Sequence, residues 1–226
     1  MKINFDYLDN SIDFDEFFVN SLCLKNKHYF YRVINDLVSV SNKLLVEEVN
    51  FFENNKEINL SSYVDVYIDF FNIDLNSKKI IGKLYDLIDI EIDEEIKNKI
   101  RVSYKKMLNS LNSVINNFDF SLSYEEDFDI KSLLKLYKIS VNKPNTLLEQ
   151  LLLLLELNSV FKLNKLLVFV NLEDYLTIEE LKELIKYAIY NNLNIFLINN
   201  EVSDYKLDDV KYCVIEEDLN EFVISN

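Results

Sequence analysis

A single glycine, Gly82, serves all 226 residues, and this scarcity limits what the chain can fold into more than any other feature. A phosphate loop of the form G-x-x-x-x-G-K-[ST] needs two glycines, because its backbone amides must turn inward around the phosphates. The dinucleotide fingerprint G-x-G-x-x-G needs three. Neither fits this chain. Asn, Lys, Ile and Asp are abundant, a composition typical of AT-rich genomes, and asparagine is expected at turns that would otherwise take glycine.

The stretch KLLVFVNLEDYLTIEEL, Lys165 to Leu181, has the outline of a phosphate-handling strand, loop and helix. Its apolar run predicts a buried strand ending at Asn171, where open α/β sheets place their ligands. Asparagine cannot ionise, so it is neither a general base nor a counter-charge for magnesium. The expected role of Asn171 is to end the strand and bond loop backbone. Thr177 and Glu180 spell a capping box, with Leu176 and Leu181 as its hydrophobic staple, and open a helix to about Tyr190. NIFLIN (194–199) and KYCVI (211–215) read as further strands, and strand–helix–strand spacing of this kind predicts a parallel crossover.

The N-terminal section reads as short strands (MKINFDYL, SIDF, FFVNSL), then a helix over about 25–39. VEEVNFFENNKEINL predicts a hairpin turning at Asn54-Asn55, and VDVYI another strand. From Asn76 the periodicity becomes helical, with apolar faces on about 76–90 and 94–116. Asp129 can cap a short helix through Tyr137, and Pro144 is placed to open a longer one through about Phe161. The expected class is α/β, with two consecutive long helices forming a helical hairpin that projects from the α/β part.

A net charge of −15 argues against generic nucleic-acid binding unless lysines gather on one surface. The densest cationic group is Lys97, Lys99, Arg101, Lys105 and Lys106. Lys97, Arg101 and Lys105 fall at i, i+4 and i+8, a helix flank that is either simply solvated or a phosphate-contacting ridge. Asp119, Glu125, Glu126, Asp127 and Asp129 are the candidate calcium ligands, since calcium takes six to eight oxygens, although the EF-hand spacing is missing. Cys23 and Cys213 form no C-x-x-C pair. Cys23 could meet His28 as a dyad, against the commoner outcome of a buried inert thiol and a surface or half-buried histidine. The N-terminus lacks a signal-peptide apolar region. The greasiest run, 147–157, is too short to span a membrane. The expectation is a soluble cytoplasmic protein.

The order of these segments resembles the ring-forming accessory adaptation protein of type II-A CRISPR systems, the Csn family. MKINFDYLD resembles its opening strand, and VDVYIDFFNIDLNSKKIIGKLYDLI its strand, D-x-N-S helix start and first leg helix. KLLVFVNLEDYLTIEELKELIKYA followed by NIFLIN is the closest match, and KYCVIEEDLNEFVI fits as a strand with a carboxy-terminal tail. The resemblance implies an α/β, nucleotide-hydrolase-like head without a phosphate loop, residues 1–75 and 129–226, with an inserted α-helical leg, residues 76–128. It further implies a non-catalytic protein whose four copies form a ring with a basic central hole. That ring threads onto double-stranded DNA ends without reading sequence, with calcium supporting the assembly. It implies a role in spacer acquisition for antiviral defence, beside the integrase subunits and the effector nuclease, and no membrane. Within DFSLSYEEDFD, Tyr124, Glu125 and Glu126 match the family's acidic stretch, and Asp119 is compatible with it. Ser121 and Ser123 stand where carboxylates are expected. Two rival readings are a divergent nucleotide hydrolase or kinase-like enzyme, and a scaffold that docks another subunit on its Leu-rich helix.

Overall fold

A computed structural model of the chain describes residues 1–14, 17–59, 63–123, 129–203 and 205–224. The chain divides into two compact units, one of residues 1–75 and 143–226, the other of residues 76–142.

The first unit is built on a six-stranded sheet. Strands β1 (Lys2–Phe5), β2 (Ile12–Asp13) and β3 (Val19–Leu24) precede helix α1 (Lys27–Ser41). Strands β4 (Val49–Glu53), β5 (Lys56–Ile58) and β6 (Val64–Tyr67) follow. After the second unit come α5 (Leu147–Phe161), β7 (Leu166–Val170), α6 (Ile178–Tyr190), β8 (Ile195–Asn199), β9 (Val210–Ile215) and β10 (Glu221–Ile224). The large sheet runs β10-β9-β3-β8-β7-β6, and β9, β3, β8, β7 and β6 are parallel to their neighbours in that series. A parallel sheet covered on both faces should read as unbroken apolar runs, and it does: every residue of β7 and β8 is buried. On one face Leu22, Leu24, Leu166, Val168, Phe196 and Ile198 share a core with Val33, Leu37 and Val40 of α1. That core also takes in Ile3, Phe5, Val49 and Phe51 from a second, antiparallel sheet ordered β2-β1-β4-β5.

The hairpin β4–β5 turns at Asn54 and Asn55 with φ of 52° and 60°, the left-handed values that asparagine tolerates best after glycine. Helix α6 starts on the expected capping box, with both Thr177–Glu180 bonds present. Helix α5 departs from expectation. It begins at Leu147 on a second capping box, Thr146 with Glu149, so Pro144 precedes the helix and does not open it. Its leucines are not a free docking face either, because Leu151, Leu154, Leu155 and Leu157 are buried. The carboxy-terminal tail contains a strand that periodicity did not predict, β10, antiparallel on β9.

The second unit is helical: α2 (Lys78–Glu91, capped by Ser77), α3 (Glu94–Ile115, capped by Asp93) and α4 (Ile130–Leu136, capped by Asp129). Residues 129–142 group with it and not with the head. α4 is held to α2 by the Lys131–Asp86 ion pair at 2.6 Å and by the buried Tyr85, whose hydroxyl donates to the carbonyl of Ile139 at 3.0 Å. No helix among the described residues is long and apolar enough to cross a membrane.

Candidate nucleic-acid interface

Two places merit a functional reading, and the first is the carboxyl edge of the parallel sheet. Only Lys25 and Asn26 separate β3 from α1. A phosphate-binding turn would leave the first helical amides open to a ligand. Here the Asn26 side chain accepts from His28 N at 3.0 Å and Tyr29 N at 3.2 Å, and its amide donates to the carbonyl of Glu217 at 3.0 Å. Lys25 pairs with Glu216 at 2.8 Å. The chain's own groups therefore satisfy two of the first helical amides and the lysine of this turn.

Asn171 adopts the left-handed conformation, φ 53°, and its Oδ1 accepts from Asn200 N at 3.2 Å. It ends the strand and bonds loop backbone, as its side-chain chemistry predicts. Beside it, Glu173 Oε1 accepts from the Asn199 amide at 2.8 Å, while Oε2 is buried with no hydrogen-bond partner. Burial raises the Glu173 carboxyl above the usual range, and the Asn199 bond opposes this only in part. His28 is exposed. Burial pushes the Cys23 thiol up to about 11, the opposite of an activated nucleophile.

The second place is the helical unit. Its eleven Lys and Arg residues balance eleven Asp and Glu, so it is formally neutral, and the whole −15 resides in the other unit. The five predicted cations sit on α3 but are not equivalent. Lys97 pairs with Asp89 at 3.4 Å and Lys99 with Glu95 one turn earlier. Arg101 donates to the neutral side chain of Asn98 at 2.9 Å and keeps its full charge. Lys105 and Lys106 are exposed and make no ion pair among the described residues. The ridge therefore reduces to Arg101, Lys105 and Lys106 as uncompensated cations. α3 buries no residue along its 22 positions, and Ile96, Met107, Leu111 and Val114 are exposed.

Of the predicted calcium ligands, Glu125, Glu126 and Asp127 lie outside the described residues. Asp119, Ser121 and Ser123 are exposed. Asp129 serves as the N-cap of α4, its carboxylate accepting from the amides of Lys131 (3.2 Å) and Ser132 (2.9 Å) and from the Ser132 hydroxyl (2.6 Å). Those bonds, the hydroxyl's first, hold its carboxyl below the usual range. Among the described residues no three His, Cys, Asp or Glu side chains converge as a metal site would require.

The fold and these sites define an α/β protein whose α1 amides are capped by its own Asn26, interrupted by a helical unit of balanced charge. Residues 41–219 match the family model for the CRISPR-associated protein Cas_Csn2, and the chain belongs to that family. It is 20% identical over 225 residues to the CRISPR-associated protein Csn2 of Enterococcus faecalis, covering 96% of this chain and all of that protein. Its fold is that of Stu0660 of Streptococcus thermophilus, with a TM-score of 0.62 at 14% identity over 96% of this chain and 75% of the other.

Proposed function

We propose that this CRISPR-associated protein is a non-catalytic accessory of spacer acquisition. In this reading four copies form a ring, supported by calcium, that encloses the ends of linear double-stranded DNA through a basic central hole. It acts beside the integrase subunits and the effector nuclease. The observation that carries the reading is the segregation of charge: a chain of net −15 keeps one helical unit neutral and leaves Arg101, Lys105 and Lys106 uncompensated on an exposed helix. Lys97 and Lys99 contribute less while their carboxylate partners hold them. Contacts of this kind go to phosphates, so binding is sequence-independent and falls steeply with salt.

The bare apolar face of α3 supports assembly, because a 22-residue amphipathic helix gains most of its stability from packing that face on another surface. Calcium would draw on Asp119, Glu125, Glu126, Asp127 and Asp129, and would supply positive charge to offset an acidic assembly. The capped amides of α1 support a role without nucleotide chemistry.

The test is a mobility-shift comparison of linear and closed-circular DNA, with calcium and with a chelator, on protein sized by light scattering. Binding of linear DNA alone, by a calcium-dependent tetramer, is expected. Equal affinity for both topologies would refute threading. In the K97A/R101A/K105A variant affinity falls for all sequences alike; an unchanged affinity and salt dependence would remove α3 from the interface.

A further inference from the structure

The helical unit contains a second cationic surface, separate from α3. Between α2 and the turn that follows α4 lies an open groove of about 470 Å³. Its floor is apolar, formed by Ile81, Tyr85 and Ile139, and Lys78, Lys135 and Lys138 stand around it. All three lysines are exposed, and none makes an ion pair among the described residues. Lys135 is felt by Asp129, the helix cap, but the contact falls short of a pair.

The walls of the groove are fixed by side-chain and backbone bonds. The Asn76 amide donates to the Val141 carbonyl at 3.0 Å and its Oδ1 accepts from Val141 N at 2.8 Å, tying the start of α2 to the segment beyond α4. Tyr85 holds the Ile139 carbonyl from below. Lys138 itself sits at φ 52°, a conformation that favours glycine, with its N–H bonded to Lys135 O and that of Ile139 to Leu134 O. The one glycine of the chain, Gly82, also lines the groove, and a Cβ built there would meet nothing within 4 Å. An apolar floor under lysines suits their chemistry, because the methylene stems lie along apolar surface and leave the ammonium groups in water.

We infer that Lys78, Lys135 and Lys138 form a second phosphate-contacting patch for the backbone of duplex DNA. The charge complementarity is direct: three uncompensated cations face an open groove in the unit that carries none of the protein's net negative charge. The inference rests on the DNA reading above, and it shifts weight from the half-neutralised α3 ridge to lysines that make no ion pair among the described residues.

The experiment measures fluorescence anisotropy of a labelled 30-base-pair blunt duplex with the full chain across a potassium chloride series. Wild type is compared with K78A/K135A/K138G, where glycine keeps the left-handed turn, and with the α3 variant K97A/R101A/K105A. Loss of three phosphate contacts lowers the slope of log affinity against log salt by about 2.7, at roughly 0.9 per contact, and weakens binding at least tenfold near physiological salt. Gly82→Glu provides a second, independent probe. It places a carboxylate over the groove at an exposed helical position with room for it, so the melting temperature holds while DNA affinity falls; Gly82→Gln leaves affinity near wild type. If wild type binds and the groove variants bind equally well with the same slope, the inference is overturned while the DNA reading stands. If wild type fails to bind duplex at any salt, the DNA reading itself falls. If the groove variants lose assembly yet bind DNA normally per assembled molecule, the groove is a protein contact and the inference is wrong.

Discussion

Glu173 offers the sharpest check on the physical reading of the sheet's carboxyl edge. One carboxylate oxygen is held by the Asn199 amide at 2.8 Å, and the other is buried without a partner. Leaving a buried polar group unpaired costs about 1–3 kcal/mol, more when it is charged. Glu173 is partly exposed and keeps one good bond, so the lower end applies, about 1 kcal/mol at neutral pH. The sign follows from linkage. Burial raises the folded-state carboxyl above its ordinary value of 4.5, so folding favours the protonated form. The contribution to stability is complete below the unfolded value and is lost as pH rises through the folded one. Glu173→Gln keeps the Asn199 bond and cannot ionise. It should therefore match wild type at pH 4 and exceed it at pH 7, by about 2–4 °C in Tm for a chain of this size. The assay is thermal unfolding of both proteins from pH 4 to 8, read as their difference so that other carboxylates cancel. A difference that does not change with pH, or a variant less stable at pH 7, would refute the argument. Asn199→Ala closes a double-mutant cycle: it should destabilise wild type at pH 7 more than it destabilises E173Q.

Two further outcomes follow from the same kind of reasoning. Asp129 is a helix cap and a candidate calcium ligand, and asparagine preserves the first role only. D129N should keep the melting temperature in chelator while weakening the calcium response of assembly, whereas D129A should lose both. Because the Asp129 carboxyl is held low, the deficit of D129A should shrink as pH falls through its folded value. Cys23 and Cys213 are both pushed up to about 11 by burial, so at pH 8 only about one thiol in a thousand is thiolate. Neither should be alkylated by iodoacetamide in the native protein within an hour, and both should react promptly in guanidinium; rapid native labelling, followed by mass spectrometry, would contradict the burial.

Most of the head was legible because its signals are local. The run Leu166–Val170 has no polar interruption, and Thr177 and Glu180 lie three residues apart, so strand and cap are both written in adjacent residues. The same motif at Thr146 and Glu149 was overshadowed by Pro144, whose fixed φ suits a helix start equally well. β10 was missed because four residues with a turn before them carry little periodicity; what holds the strand is β9, together with Glu221, which accepts from the amides of Asp9 and Asn10 across the whole chain length. The cationic site was legible only as composition. Lys97 meets Asp89 across the junction of two helices, a pairing that i, i+4 arithmetic on one helix does not see. The groove brings Lys78 beside Lys135 and Lys138 through the packing of α4 on α2, and no spacing rule joins residues so far apart.

The scarcity of glycine explains more of this protein than the missing phosphate loop. Left-handed positions still occur beyond several helices and at the β4–β5 turn, and among the described residues none is filled by glycine. Asparagine takes four of them, Asn54, Asn55, Asn171 and Asn192, and lysine takes three, Lys43, Lys138 and Lys162. A side chain in that conformation costs roughly 1 kcal/mol. The asparagines tolerate it through their short polar side chains, as Asn171 shows by holding the amide of Asn200. The lysines gain differently. Each lies at or just beyond the carboxyl end of a helix, α1, α4 and α5, where a cation meets the negative end of the helix dipole, worth about 0.3–1 kcal/mol. A composition poor in glycine thus places positive charge at helix ends. At one of them, after α4, the lysine also lies beside two others over an apolar groove in a unit of balanced charge. The residue that ends the helix there is also one that a phosphate backbone can reach, so the local rule for stopping a helix without glycine helps to build the surface proposed to hold DNA.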